Sequence, residues 1–160
     1  LKNNVHIETS SAFDIPIVKT LYGRGKITKE TYILCNGYKM APYRQHITDL
    51  LNDGFNCIPI LDNLTEIDTY EKNVDRPYQV GIRVAADEEP KFEFYTSRLG
   101  IRYNDINTLY KEKIASSSKA SLKLLHFFIN TGIKDTAYYW SELSRFIFKY
   151  CELKKVCDTL

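Results

Sequence analysis

At 160 residues, with 44% hydrophobic and 26% charged side chains and a net charge of +2, the chain has the composition of one globular domain. The balanced charge and scattered lysines argue against nucleic-acid or membrane binding, and no apolar run approaches the ~18 residues of a membrane span. Cys35, Cys57, Cys151 and Cys157 form no Cys-x-x-Cys pair, and His6, His46 and His126 share no metal-ligand spacing. Reduced thiols, no metal site and a cytoplasmic location are therefore expected.

Strand and helix signals alternate five times. The first strand is expected at residues 5–9, with Ser10 or Ser11 as N-cap of a helix whose stripe is Ile15, Ile17, Val18 and Leu21, stopped by Gly23 and Gly25. A second strand at 32–36 leads through Gly37 to a helix at 43–52 with Ile47, Leu50 and Leu51 inward. Cys57–Leu61 is the third strand, with Pro59 awkward for its register, and Asp62 or Asn63 caps a short helix reaching Tyr70. The fourth strand, 78–85, precedes a long connection, 86–103, of the kind that is more often functional than decorative. A helix at 106–114, a fifth strand at 122–129 and a last helix at 137–156 complete the chain. In that last helix Trp140, Leu143, Phe146, Ile147 and Tyr150 share one side.

Apolar strands separated by amphipathic helices predict an α/β fold with parallel, adjacent strands. Five βα units are the material of a partial (β/α)8 TIM-type barrel, since a closed one needs about 250 residues. No Gly-x-Gly-x-x-Gly or Walker loop follows any strand, which disfavours a nucleotide-binding open sheet. The only methionine is Met40, and the chain is expected to be the central part, residues 1–160, of a larger barrel domain. Two open edges and an open interior predict either a homo-oligomer or a place within a longer chain.

Side-chain alternation assigns faces. Arg83 shares a face with Gly81 and Ala85, opposite Val80, Ile82 and Val84, so it points into the barrel. Glu8 points the same way, as do His126 and Phe128, while Asn36 sits at the carboxyl end of its strand beside Leu34. Barrel enzymes put their chemistry at the carboxyl ends of strands. Glu8 and Arg83 form either a structural ion pair or support for an anionic ligand. Lys39, near a strand's carboxyl end, reads as a solvated loop residue.

At Glu8-Thr9-Ser10-Ser11, Cys35-Asn36-Gly37-Tyr38-Lys39, Gly81-Ile82-Arg83-Val84-Ala85, Ser97-Arg98-Leu99-Gly100 and Leu125-His126-Phe127-Phe128-Ile129-Asn130-Thr131-Gly132, the chain resembles pyridoxal-phosphate-dependent decarboxylases of the alanine-racemase-like barrel type. Within them it is most similar to bacterial arginine decarboxylases, and the resemblance runs in order from Leu1 to Leu160. It implies conversion of arginine to agmatine and carbon dioxide, a step of polyamine biosynthesis, with pyridoxal 5'-phosphate as cofactor and an amino acid as substrate. Glu8 and Ser11 match the family's acidic residue and serine, and Arg83 its strand arginine. Ser97-Arg98-Leu99-Gly100 resembles the family's Ser-Lys-Phe-Gly turn.

The family's His-x-Gly-Ser becomes Phe128-Ile129-Asn130-Thr131, so Phe128 takes the place of the ring-stacking histidine and Asn130 that of the glycine. His126 either substitutes for that histidine from one layer deeper or packs in the core. Thr131 brings a hydroxyl to the phosphate or caps the helix that follows. The resemblance places the Schiff-base lysine before Leu1, and the phosphate loop, the pyridine-nitrogen partner and a β-rich domain after Leu160. No catalytic residue is therefore expected within the chain. Two other classes fit the residues: a non-catalytic module binding a small anion or cofactor, and an open α/β interaction domain.

Overall fold

The structure is a computed structural model that describes residues 5–86, 99–128 and 136–160. Five parallel strands form one sheet in chain order: β1 (Ile7–Thr9), β2 (Ile33–Cys35), β3 (Cys57–Leu61), β4 (Tyr78–Val84) and β5 (Ala120–Phe127). Helices α1 (Asp14–Gly23), α2 (Ala41–Asn52) and α3 (Glu66–Asn73) connect the first four. Between β4 and β5 lies α4 (Ile106–Leu109), flanked by a 3-10 turn at Tyr103–Asp105 and a π turn at Tyr110–Ile114, and α5 (Thr136–Lys154) follows β5. The order 1-2-3-4-5 is that of a barrel wall; a doubly wound sheet would reverse at a switch point. Among the described residues no helix is long and apolar enough to cross a membrane.

One face of the sheet carries the core. Ile33, Cys35, Cys57, Leu61, Val80, Ile82 and Leu122 are buried against Ile15 and Val18 of α1, Tyr43, Ile47, Leu50 and Leu51 of α2, and Ile67 and Tyr70 of α3. Each fully buried aliphatic side chain contributes about 1.5–3 kcal/mol. Pro59 sits within paired β3 opposite Cys35, in register with its neighbours.

The other face is narrower and mixed. Ile60, Gly81 and Leu124 are register partners and form one of its layers. The next residues of the same parity are Asp62, Arg83 and His126, so a polar layer lies directly above an apolar one at the carboxyl ends. A register shift in β5 opposite Val80/Gly81 inserts Lys123 and keeps Leu124 and His126 on this face.

Three local expectations are corrected. Ser10 and Ser11 do not cap α1: Phe13 is the N-cap residue and makes no side-chain cap bond. Instead Asp14 Oδ2 accepts from the backbone N–H of Ser10 and of Ser11, at 2.7 and 2.9 Å. Asp62 and Asn63 do not cap α3 either, because Asp62 pairs with a lysine and Asn63 accepts from Thr65 in the preceding turn.

The stripe expected for α5 is largely outside. Trp140, Ile147 and Tyr150 are exposed, as is Ile17 of α1, while Glu142, Lys149 and Leu153 of α5 are buried. The ring of Tyr103 draws the cations inward, with Lys149 Nζ 4.2 Å from its centroid and Arg145 also over it. Lys149 also pairs with Glu152 at 2.7 Å.

An added Cβ at Gly81 would lie 2.5 Å from Ile60 Cδ1 and 2.8 Å from Leu124 Cδ1. Gly81→Ala should therefore cost about 1–3 kcal/mol through overpacking. Denaturant midpoints test it, and Ile60→Val in the same chain, which removes the nearest methyl, should recover part of the loss.

Candidate functional site

The polar layer at the carboxyl ends is a candidate site. Glu8 on β1, Arg83 on β4, and His126 and Phe128 on and after β5 share its face, as alternation predicts. Asn36, one residue past β2, lies in the turn where Gly37 has φ +78°, and a Cβ there would meet Ser10 O at 2.9 Å. Only glycine allows that close return beneath β1. Asn36 is thereby held with its backbone N–H on Thr9 O, at 2.9 Å. Its Nδ2 donates to Glu8 Oε1 at 2.9 Å and lies 3.2 Å from His126 Nε2.

The expected Glu8–Arg83 ion pair does not form. No salt bridge joins them among the described residues. Alternation reports a shared face but not which of the side chains on it meet. Glu8 instead reaches Asn36, and Arg83 lies opposite His126 in the register with its guanidinium 5.5 Å from the centroid of the Phe128 ring. Arg83 is buried, Glu8 is exposed, and Phe128 is half-exposed.

Lys39 corrects a second expectation. It is no solvated loop residue but is buried, and its Nζ lies 2.9 Å from Asp62 Oδ2 and 3.1 Å from Glu66 Oε1. It also donates to Ile60 O at 2.5 Å and Gly37 O at 3.0 Å. With these acceptors around three protons, the amine has none left for a substrate. Glu66 accepts in addition from Tyr70 OH and from the backbone N–H of Asp62, both at 3.1 Å. Burial pushes its pKa above the ordinary carboxylate value, against the pull of Lys39. Glu66 escaped the sequence reading, and Asp62 was read only as a helix cap, although it continues the inward parity of Ile58 and Ile60.

Three buried polar atoms of this region lack partners: Asn36 Oδ1, Asp62 Oδ1 and His126 Nδ1. Burial, then the nearby Arg83, lowers the His126 pKa from its usual 6.5, opposed by Glu8 and Asp62, so the ring is neutral at pH 7. Asn130, Thr131, Ser97 and Arg98 lie outside the described residues. Leu99 and Gly100 are described: Gly100 donates to Asp62 O at 3.2 Å, and Ile101 bridges to Val84, returning the chain to the end of β4.

A hollow of about 250 Å³ lies away from this layer, on the outer surface between α3 and the π turn, lined by Asp68, Glu71, Lys113 and Ser117 among others. Its polar groups satisfy one another: Lys113 pairs with Asp68 at 2.7 Å and Ser117 donates to Glu71 at 3.0 Å. It lacks the unpartnered groups of the sheet's end. Protein-family models and curated proteins give no match to this chain.

Two outcomes follow from these groups. Lys39→Met strands two buried carboxylates and should cost about 3–5 kcal/mol, read as a lower urea midpoint. The depressed pKa of His126 means that its contribution is complete above pH 6.5 and is lost as pH falls through the folded-state pKa. In His126→Gln that part of the stability–pH slope should vanish; an unchanged slope would refute the assignment.

Proposed function

We propose that the chain forms one wall of the cofactor pocket in a pyridoxal-phosphate-dependent decarboxylase of a basic amino acid, with arginine giving agmatine and carbon dioxide. The observation that carries the reading is the convergence of Arg83, His126 and Phe128 on one face, at the carboxyl ends of adjacent parallel strands. The groups fit a flat, polar heteroaromatic ring. The half-exposed Phe128 offers a stacking face, and His126 Nδ1 and Asn36 Oδ1 are polar atoms without partners.

Bound pyridoxal phosphate supplies the electron sink that makes loss of carbon dioxide from the α-carbon feasible. The chain's own part is to stack, orient and screen: Phe128 against the ring, His126 and Arg83 toward its oxyanions, and Thr131 with Asn130 toward the phosphate by resemblance. Lys39 is held by two carboxylates, so this reading does not assign it the Schiff base. The same reading makes the protein a cytoplasmic homo-oligomer of polyamine biosynthesis.

A second reading has its own support. Arg83 is buried, and no salt bridge among the described residues involves it. A buried cation without a counter-charge costs several kcal/mol, which favours an anionic ligand whether or not chemistry follows. This is the non-catalytic anion- or cofactor-binding module.

Carbon dioxide release from carboxyl-labelled arginine, assayed with added cofactor on the protein in its natural full length, tests the first reading. Leu1–Leu160 alone is expected to release none. Phe128→Ala should weaken cofactor binding roughly two- to tenfold, the worth of one aromatic stack. Saturable phosphate binding with no decarboxylation of arginine, lysine or ornithine by the full-length protein would instead establish the module.

A further inference from the structure

The carboxamide of Asn36 has only one workable orientation. Its Nδ2 lies 2.9 Å from Glu8 Oε1 and 3.2 Å from His126 Nε2. Turned over, Oδ1 would face the Glu8 carboxylate, two acceptors at bonding distance with no proton between them. Nδ2 carries two hydrogens, one for each neighbour, so His126 Nε2 must accept. A neutral imidazole that accepts at Nε2 holds its proton at Nδ1.

We propose that Asn36 is a positioning residue that locks His126 in the neutral Nδ1–H tautomer, so that His126 meets its ligand as a hydrogen-bond donor and not as a base. The neutral histidine side chain free in water favours the proton on Nε2, so the other form needs the partner that Asn36 supplies. Glu8 orients Asn36, Asn36 fills the Nε2 lone pair, and Nδ1–H emerges buried and unpartnered.

Adding a second proton at Nε2 would require Asn36 to turn away from Glu8. The charged groups facing the ring are Arg83 and Lys39, which oppose that proton, and Glu8 and Asp62, which favour it; burial opposes it most. Arg83, directly across the register, gives the hollow a second donor, so the ligand atom that fits is a carboxylate or other oxyanion oxygen. This ligand, but not the lock, rests on the pocket reading above.

Long-range 1H–15N correlation spectra of the histidine-labelled protein at neutral pH read the tautomer directly. The expected pattern for His126 is a pyrrole-type Nδ1 and a pyridine-type Nε2. In Asn36→Asp the new carboxylate accepts from Nε2, so the pattern should invert and the titration midpoint of His126 should rise. Glu8→Gln, which can donate to a turned Asn36, should give a mixture and serves as the milder variant should Asn36→Asp fail to fold.

A pyridine-type Nδ1 in the parent protein, or a folded Asn36→Asp with an unchanged pattern, overturns the lock. Acetate is the ligand probe. It should perturb His126 Nδ1–H saturably, about tenfold more weakly in Asn36→Asp, the worth of one charge-assisted hydrogen bond. A correct tautomer with no acetate response leaves the lock standing and overturns the anion reading of the pocket.

Discussion

The contact between Asn36 and His126 is the constraint on which the rest of the structure depends. Asn36 follows β2 and His126 lies on β5, three strand spacings away in a sheet ordered 1-2-3-4-5. On a flat sheet those backbones stand about 14 Å apart, more than the two side chains comfortably span while meeting at 3.2 Å. The sheet must curl about the Glu8–His126 face. The concavity explains why that face takes Gly81 between Ile60 and Leu124, where a methyl would collide, and why the bulk of the core sits on the convex side beneath the helices. It also concentrates at one end the side chains that strand alternation had only placed on a common face.

The carboxyl edge is tied together by charges rather than by apolar packing. Lys39 comes from the turn after β2, Asp62 from the turn after β3, and Glu66 from the first turn of α3. Asp62 O also receives Gly100 N–H where the chain returns to β4. One ammonium thus fixes two successive βα turns, and the carbonyl of one of its partners fixes a third connection. Such a cluster is weak evidence for net stability, because desolvating three charges offsets much of their attraction. Its effect is geometric: it removes alternative positions for the loops that frame His126 and Arg83.

What could be read from the residues divides along the same line. Period-two alternation in Gly81-Ile82-Arg83-Val84 and Leu124-Leu125-His126-Phe127 placed Arg83 and His126 inward, and apolar runs between helical stripes predicted five parallel strands in sequence order. Alternation carries no information on distance across a sheet, so the Glu8–Arg83 pairing failed while the facing was right. Lys39 was misread because a loop's exposure is set by what closes over it, and the Asp62 and Glu66 that close over it belong to the next unit. In α5 the apolar stripe was a poor guide because Tyr103 and Asn107, from another connection, supply partners that let Lys149 be buried. These three failures concern partners distant in sequence, whereas the missed cap of α1 is local, with Asp14 accepting from the backbone of Ser10 and Ser11.

Unpartnered buried atoms need care as signs of function, since each costs about 1–3 kcal/mol and a fold can tolerate a few. Four are found among the described residues, and the fourth, Gln79 Oε1, belongs to β4 at the opposite end of the inward face. An orphan by itself therefore does not mark a site. The three at the carboxyl end differ in company. His126 Nδ1 lies on a ring held by Asn36, beside a buried guanidinium and a half-exposed phenyl ring, and Asp62 Oδ1 belongs to a carboxylate whose other oxygen is pinned by Lys39. A ligand that accepts from His126 and Arg83 would repay the desolvation of both at once, whereas Gln79 lies opposite the neutral Ser121 in the register. That asymmetry between the two ends of one curved sheet is the physical case for a binding site at the carboxyl ends, independent of which chemistry it serves.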